Sequence, residues 1–307
     1  MNTVFVIIVT YKGKQWYDRS FESLRLSGIP IQTIVIDNAS NDDTVDYIKS
    51  NYPEVHLIES ATNLGFGQAN NIGIKYALQE NADYVFLLNQ DAWIEPNTIE
   101  ELIELHKKNE EFGILSPIHL NVEKNKIEKG LMQYIADYRL TSVEFINDLY
   151  FERLSDLYET QYVNAAAWLL PKKTLKIIGG FDPVFFHYGE DDNYMHRVLY
   201  HGFKIGICPK INIVHDTENR VKTNNKSQYS LFKFLLVDCT NINKKGNVEQ
   251  LIFYYLRKSI SNILRFKIQN FKSTFSIMIK FILKRKDIYK SRKTNCKIGI
   301  NWIKFDS

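Results

Sequence analysis

The run Val4-Phe5-Val6-Ile7-Ile8-Val9-Thr10-Tyr11 reads as a buried strand that ends abruptly in polar side chains. It is too short for the apolar region of a signal peptide and has no basic residue before it. Working outward, Thr33–Ile36 is a second β-branched run, ending in Asp37-Asn38-Ala39-Ser40. Val55–Ile58 is a third short strand, and Tyr84–Leu88 a fourth that ends in Asn89-Gln90-Asp91. Helical patterns fall between them: around Trp16, Phe21, Leu24 and Leu26, from about Asp42 to Ser50, over Gly67–Leu78, and after Pro96 through Ile99, Leu102, Ile103 and Leu105. Strands alternating with helices predict an α/β chain with a mostly parallel central sheet flanked by helices.

Residues 121–160 are charged and aromatic without a clean period, and read as an inserted hairpin or lid. Regularity returns with Ala165–Leu170, a helix from Lys172 to Ile178, the turn Gly179-Gly180, a helix over Asp191–His201, and a strand pair at Lys204–Cys208 and Ile211–Val214. No fixed-period repeat is visible.

With 307 residues, 45% hydrophobic and 24% charged, the chain is a globule of one or two domains, which excludes disorder and collagen-like repeats. Its net charge of +4 conceals two opposed parts, because residues 251–307 carry 14 basic and 2 acidic side chains and the remainder sums to −8. In that tail Leu256, Ile260, Ile263, Phe271, Phe275, Met278 and Ile282 fall near one face of long helices, with Arg257, Lys258, Arg265, Lys272 and Lys284–Lys286 mostly elsewhere. Two readings stay open: the apolar face packs on the body, or the segment lies on an anionic membrane surface. No nucleic-acid motif accompanies the charge, so nucleic acid is not expected as a partner. Cys208, Cys239 and Cys296 show no C-x-x-C spacing, and a reducing cytoplasm fits them best. No stretch reaches the roughly 18 apolar residues that span a bilayer.

In open α/β sheets ligands bind at the carboxyl ends of strands, and three such ends here are polar. Each alone has a plain explanation as turn or helix cap, but three on one edge point to a site. The loop Asn63-Leu64-Gly65-Phe66-Gly67-Gln68-Ala69-Asn70-Asn71 leads into a helix whose amino end favours phosphate, although a simple helix-entry turn would look the same. Asp91 is placed to ligate a divalent cation, with His215 as a second ligand or a merely structural histidine. Gly189-Glu190-Asp191-Asp192 is the densest acidic feature; the helix dipole explains one or two of its carboxylates, and crowding makes another a candidate general base.

Taken in order, Val9-Thr10-Tyr11, Ile36-Asp37-Asn38-Ala39-Ser40, Asn63-x-Gly65-Phe66-Gly67-x-x-Asn70, Leu88-Asn89-Gln90-Asp91, Gly179-Gly180-Phe181-Asp182, Glu190-Asp191 and His215 resemble family 2 glycosyltransferases of the GT-A fold, in their bacterial rhamnosyltransferase-like subgroup. The resemblance covers roughly residues 3–216. It implies a Rossmann-like nucleotide-binding half over 1–118, an acceptor-binding and catalytic half over 119–245, and a basic helical extension over 246–307. Position by position, it implies that Thr10 and Tyr11 flank the base, that Asp37 or Asn38 bonds the base or ribose, and that Asn63, Gly65, Asn70, Asn89 and Gln90 line the nucleotide-sugar cleft. Asp91 and His215 would hold Mg²⁺ or Mn²⁺, and Asp191 would be the base with Glu190 beside it. Gly180, Asp182 and Trp168 would lie by the sugar or acceptor.

The expected reaction is inverting transfer of rhamnose or another hexose from a nucleotide-diphosphate sugar to a hydroxyl of a cell-surface polysaccharide or lipid-linked acceptor. The expected location is cytoplasmic, peripheral on the inner face of the membrane. No Q-x-x-R-W element occurs, so a single addition rather than processive synthesis is expected. Asn89 stands where many members carry an acid, and Asn193 replaces a second acid that often follows the family Glu. These departures keep a silent sugar-binding scaffold in play. A nucleotidyltransferase would need a glycine-rich basic loop near the start, which Val9-Thr10-Tyr11-Lys12-Gly13 does not supply.

Overall fold

The computed structural model of the protein describes residues 2–135, 143–220 and 227–305. The first part runs β1 (Val4–Thr10), α1 (Lys14–Arg25), β2 (Gln32–Asp37), α2 (Thr44–Asn51), β3 (His56–Glu59), α3 (Gly65–Gln79), β4 (Tyr84–Asn89), β5 (Ala92–Ile94) and α4 (Thr98–Lys107). It continues through β6 (Phe112–Leu120), α5 (Lys129–Ile135), α6 (Val143–Tyr150), β7 (Tyr158–Thr160), β8 (Ala167–Pro171), α7 (Lys172–Ile178), α8 (Glu190–Tyr200) and β9 (Lys204–His215). Three helices close it: α9 (Ser227–Thr240), α10 (Val248–Leu264) and α11 (Ile268–Asn295).

The strands form one sheet of order β3-β2-β1-β4-β8-β6-β9-β5, with β7 on β9. β1, β2, β3 and β4 are parallel, as the alternation predicts, and β8 then enters antiparallel between β4 and β6. Alternate β1 residues serve opposite faces. Val4, Val6 and Ile8 join Tyr17, Phe21, Ile48 and Leu102, while Phe5 and Ile7 join Ala69, Ile74, Leu175 and Val198. Helices on both sides therefore explain why the run is apolar at nearly every position.

Two expectations are corrected, and one open question is narrowed. The strand pair at Lys204–Cys208 and Ile211–Val214 is a single strand, β9, whose register against β6 slips between Pro117 and Ile118. There β9 advances three residues more than β6, and a bulge interrupts pairing without ending a strand, so Pro209, Lys210 and Ile211 stay within β9 rather than forming a hairpin turn. The hairpin or lid expected over 121–160 is instead two short helices and β7, apart from residues 136–142, which lie outside the described residues. In the tail, where packing and exposure were both left open, Met278 is buried, whereas Leu256, Ile260, Ile263, Phe275 and Ile282 are exposed. The buried seam of the α10–α11 pair is Tyr255, Ser259, Thr274, Ile277, Met278 and Phe281, offset from the apolar stripe read in the sequence. Among the described residues no helix is long and apolar enough to cross a membrane.

The carboxyl-terminal helices share a third core with Val184 and Phe185. The buried Asp182 carboxylate accepts from Val184 N at 3.0 Å and from Asn295 Nδ2 at 2.9 Å, and also from Ser291 Oγ. Gly180 N donates to Asn301 O at 2.8 Å.

Candidate active site

Parallel register sets the site. Thr10 pairs with Asp37, and Val9 with Asn89, so the three polar strand ends stand side by side at one edge of the sheet. Gln90 ties the first to the third: its Oε1 accepts from Thr10 Oγ1 at 3.0 Å and Tyr11 N at 2.9 Å. Tyr11 stays 43% exposed above them, free to meet a planar ligand. Asn38 Nδ2 donates to Asn63 Oδ1 at 3.1 Å, and Asn38 Oδ1 accepts from Leu64 N at 2.7 Å, which joins β2 to the α3 entry loop. Asp37 Oδ2 accepts from Ser40 N at 3.0 Å, while its buried Oδ1 has no partner among the described residues. A buried acceptor left unpaired is costly, and a ligand N–H or O–H would satisfy it.

The α3 entry is pressed onto the acidic segment. Gly65 has φ +76°, and a Cβ there would strike the Phe186 carbonyl. A Cβ on Gly67 would lie 2.8 Å from Phe181 Cβ and 3.5 Å from Glu190 Cβ. Gly65→Ala is therefore expected to destabilise the fold by about 1–3 kcal/mol, against the usual helical preference for Ala. Urea denaturation checks this, and a neutral or stabilising result would contradict the contact.

Asp91 is 3% exposed, with Oδ1 3.4 Å from His215 Nε2. The pair meets because Ala92 faces His215 across β5 and β9. Asn89 Nδ2 lies 3.3 Å from the same nitrogen. Arg220 grips both oxygens of Asp91, with Nη2 3.0 Å from Oδ1, and the same Nη2 is 2.8 Å from His215 Nε2. Burial alone would raise the Asp91 pKa, but hydrogen bonds and charge from His215 and Arg220 outweigh it and hold the carboxyl well below its usual range. A carboxylate and an imidazole on adjacent strands are a donor set that suits Mn²⁺ or Mg²⁺ completed by phosphate oxygens. Behind them, ligand atoms of His119, Glu128 and His215 lie within 4.8 Å of one another. Glu128 already accepts from Gly130 N, Leu131 N and Thr217 Oγ1, so its carboxylate is committed to the start of α5.

The first turn of α8 gathers Glu190, Asp191 and Asp192. Asp191 accepts from Tyr162 OH at 3.1 Å and from Asp192 N at 2.9 Å. Burial, then the charge of Asp191, push Glu190 up to about 7 and Asp192 up to about 8. Burial raises Asp191 too, opposed by its hydrogen bonds. All three carboxyls are thus raised by burial, and the hydrogen bonds from Tyr162 and Asp192 N favour the charged form of Asp191. Groups raised in the folded state favour folding at low pH, and that advantage is lost as pH rises through their folded pKa values. Asp192→Asn should accordingly raise Tm over the parent at about pH 8.5 and leave it nearly unchanged at about pH 4.5. An equal shift at both would refute the assignment.

Of the residues expected at the site, Thr10, Tyr11, Asp37, Asn38, Asn63, Gly65, Asn89, Gln90, Asp91 and His215 are gathered at this edge. Glu190 packs against the α3 entry at Gly67, with Asp191 next to it in the first turn of α8. Asn70 is buried on α3, its Nδ2 donating to Phe66 O at 3.0 Å. The structure does not bring Trp168 to the cleft: it is fully buried, stacked on Phe181 at 6.3 Å between ring centres. Gly180 and Asp182 belong to a buried turn. Asn71, which the sequence reading passed over, holds that turn by accepting from Phe181 N at 2.6 Å and donating to Phe181 O at 2.8 Å. Arg197 adds bonds to Ile178 O at 2.9 Å and Gly180 O at 2.7 Å. Tyr162 and Arg220 were also missed. A cavity of about 580 Å³ lined by Phe5, Gln32, His56 and Tyr76 opens at the opposite edge of the sheet and shares none of these groups.

The family model for glycosyl transferase family 2 matches residues 5–166, more than half of the chain. The chain belongs to that family. It is a glycosyltransferase of the GT-A fold. Its relatives include a low-salt glycan biosynthesis hexosyltransferase, Agl10, of Haloferax volcanii, 25% identical over 217 residues that cover 70% of this chain and 68% of that one. The dTDP-rhamnosyl transferase RfbF of Shigella flexneri is 23% identical over 70% of this chain and 69% of its own. An N-acetylglucosaminyl-diphospho-decaprenol L-rhamnosyltransferase of Mycobacterium tuberculosis is 24% identical over 73% and 82%. Among solved structures, S. aureus TarS 1-349 in complex with UDP-GlcNAc aligns with a TM-score of 0.56 at 13% identity, over 96% of this chain and 90% of that one. GalNAc-T7 with UDP, GalNAc and Mn2+ aligns with the same TM-score at 16% identity, over 77% of this chain and about half of the other's length, 48%. This transferase therefore shares its fold with the TarS structure into its carboxyl-terminal helices.

Proposed function

We propose that this glycosyltransferase moves a single hexose, rhamnose being the first candidate, from a nucleotide-diphosphate sugar to a hydroxyl of a cell-surface polysaccharide or lipid-linked acceptor, with inversion at the anomeric carbon. The arrangement that carries this reading is a carboxylate oriented by Tyr162, Asp191, together with a separate Asp91–His215 pair. Names of relatives that act with dTDP-rhamnose or on a diphospho-decaprenol acceptor support the substrate class.

Each group then has a task. Tyr11 flanks the base, and the unpaired Asp37 Oδ1 accepts from base or ribose. Asn63, Gly65 and Gln90 shape the cleft around the diphosphate. Asp91 and His215 would hold a divalent cation, which supplies charge neutralisation to the leaving diphosphate. Arg220, already on Asp91, adds a second positive group beside the same phosphates. Asp191 takes the proton of the acceptor hydroxyl as that oxygen attacks from the opposite side. Gly180 and Asp182 act through the turn that sets α8, and Trp168 from the core beneath it. Residues 1–245 form the catalytic unit, with 246–307 as its helical extension.

A panel of nucleotide sugars tests the class. Transfer should release nucleoside diphosphate from one or two donors. Release of pyrophosphate would indicate nucleotidyltransfer, and no release from any donor, with binding retained, would indicate a scaffold.

A further inference from the structure

Between Gln250 and Lys286 the chain contains nine Lys and Arg and no Asp or Glu. Among the described residues, one of the nine, Arg285, reaches a carboxylate, Glu249 at 3.6 Å. The α10–α11 hairpin also leaves its larger apolar residues uncovered. Phe253, Leu256, Ile260, Ile263 and Leu264 follow helical spacing along α10, and each is at least 40% exposed. At the connection, Phe266 is 91% exposed and is flanked by Arg265 and Lys267, with Ile268 beyond them. The far end of α11 is different, since Ile288, Ser291 and Asn295 are buried against the body.

We propose that the tip of the α10–α11 hairpin is a docking element for an anionic lipid bilayer, with Leu264, Phe266 and Ile268 entering the headgroup boundary and Arg257, Lys258, Arg265, Lys267 and Lys272 resting on the charged surface. Two features select a bilayer over other anionic partners. A nucleic acid would meet the cations but give no burial to a row of Ile, Leu and Phe side chains. A bilayer covers apolar residues and neutralises lysines at once, and needs no shape complement from a smooth hairpin end. The body, at −8 overall, is repelled by the same surface, so the contact is confined to the hairpin and the rest of the molecule stands away from it. This inference does not depend on the identity of donor or acceptor.

The full chain is sedimented with vesicles of phosphatidylcholine alone and of phosphatidylcholine and phosphatidylglycerol at about 7:3. Binding is expected to the mixed vesicles only, weakening as salt rises. Leu264→Ser with Phe266→Ser, both on exposed positions, should cut the partition coefficient about tenfold or more at unchanged Tm. Arg265→Glu with Lys267→Glu should do the same. Equal binding to both vesicle types overturns the inference. So does a serine double variant that binds like the parent, and so does tighter binding to duplex DNA or RNA than to the mixed vesicles.

Discussion

Asp191→Asn is expected to lower kcat by about 10²–10⁴-fold while leaving nucleotide-sugar binding close to that of the parent, the range a positioned general base supplies. The amide keeps the shape and can still meet Tyr162, so the first turn of α8 should persist. What it loses is the ability to take a proton. Burial and the charge of Asp191 raise both Glu190 and Asp192, while the Tyr162 hydroxyl orients Asp191. Asn at 191 would also lower the pKa of both neighbours, by removing that charge. Single-turnover rates with the donor found in the nucleotide-sugar panel, with binding measured separately, check the prediction. Turnover within a few-fold of the parent would remove Asp191 from the base role.

The second large effect concerns Arg220. Its guanidinium occupies both oxygens of Asp91 and contacts His215 Nε2, which are the atoms a divalent cation needs. A cation must displace it, and a donor diphosphate gives the displaced guanidinium a new anionic partner. Arg220→Ala is accordingly expected to bind Mn²⁺ about tenfold more tightly than the parent in the absence of nucleotide, or ~1.4 kcal/mol. The same variant should bind nucleoside diphosphate more weakly when Mn²⁺ is present. Titration by electron paramagnetic resonance reads the first and calorimetry the second. If Asp91→Asn abolishes Mn²⁺ binding while parent and Arg220→Ala bind equally, the competition is wrong. If Mn²⁺ binding survives Asp91→Asn, the cation is held elsewhere.

The parallel core was legible because its strands announce themselves twice, by continuous apolar runs and by polar residues where those runs stop. Thr10, Asp37 and Asn89 could be placed on one edge before any register was known. β6 was not legible: Gly113, Ser116, Pro117 and His119 interrupt Phe112–Leu120, and its burial comes from β8 and β9 on either side rather than from its own composition. Asn71, Tyr162 and Arg220 were hidden for a different reason. Each acts on a residue far along the chain, 129 positions away for Arg220 and Asp91, and an Asn, a Tyr or an Arg carries no local mark of such a contact. The apolar stripe of the tail was seen correctly as a stripe. Whether it packs on the body or stays uncovered was left open, because period alone does not say which of two faces meets the body.

Asp182, at the turn before the acidic helix, takes its hydrogen bonds from Ser291 and Asn295, and Gly180 takes its acceptor from Asn301. The order of synthesis then matters. A nascent chain can pair β1 to β9 long before residues 291–301 exist, but the turn that orients α8 must wait for them. A chain cut short within α11 would keep every strand of the sheet yet lack the partners that hold this turn.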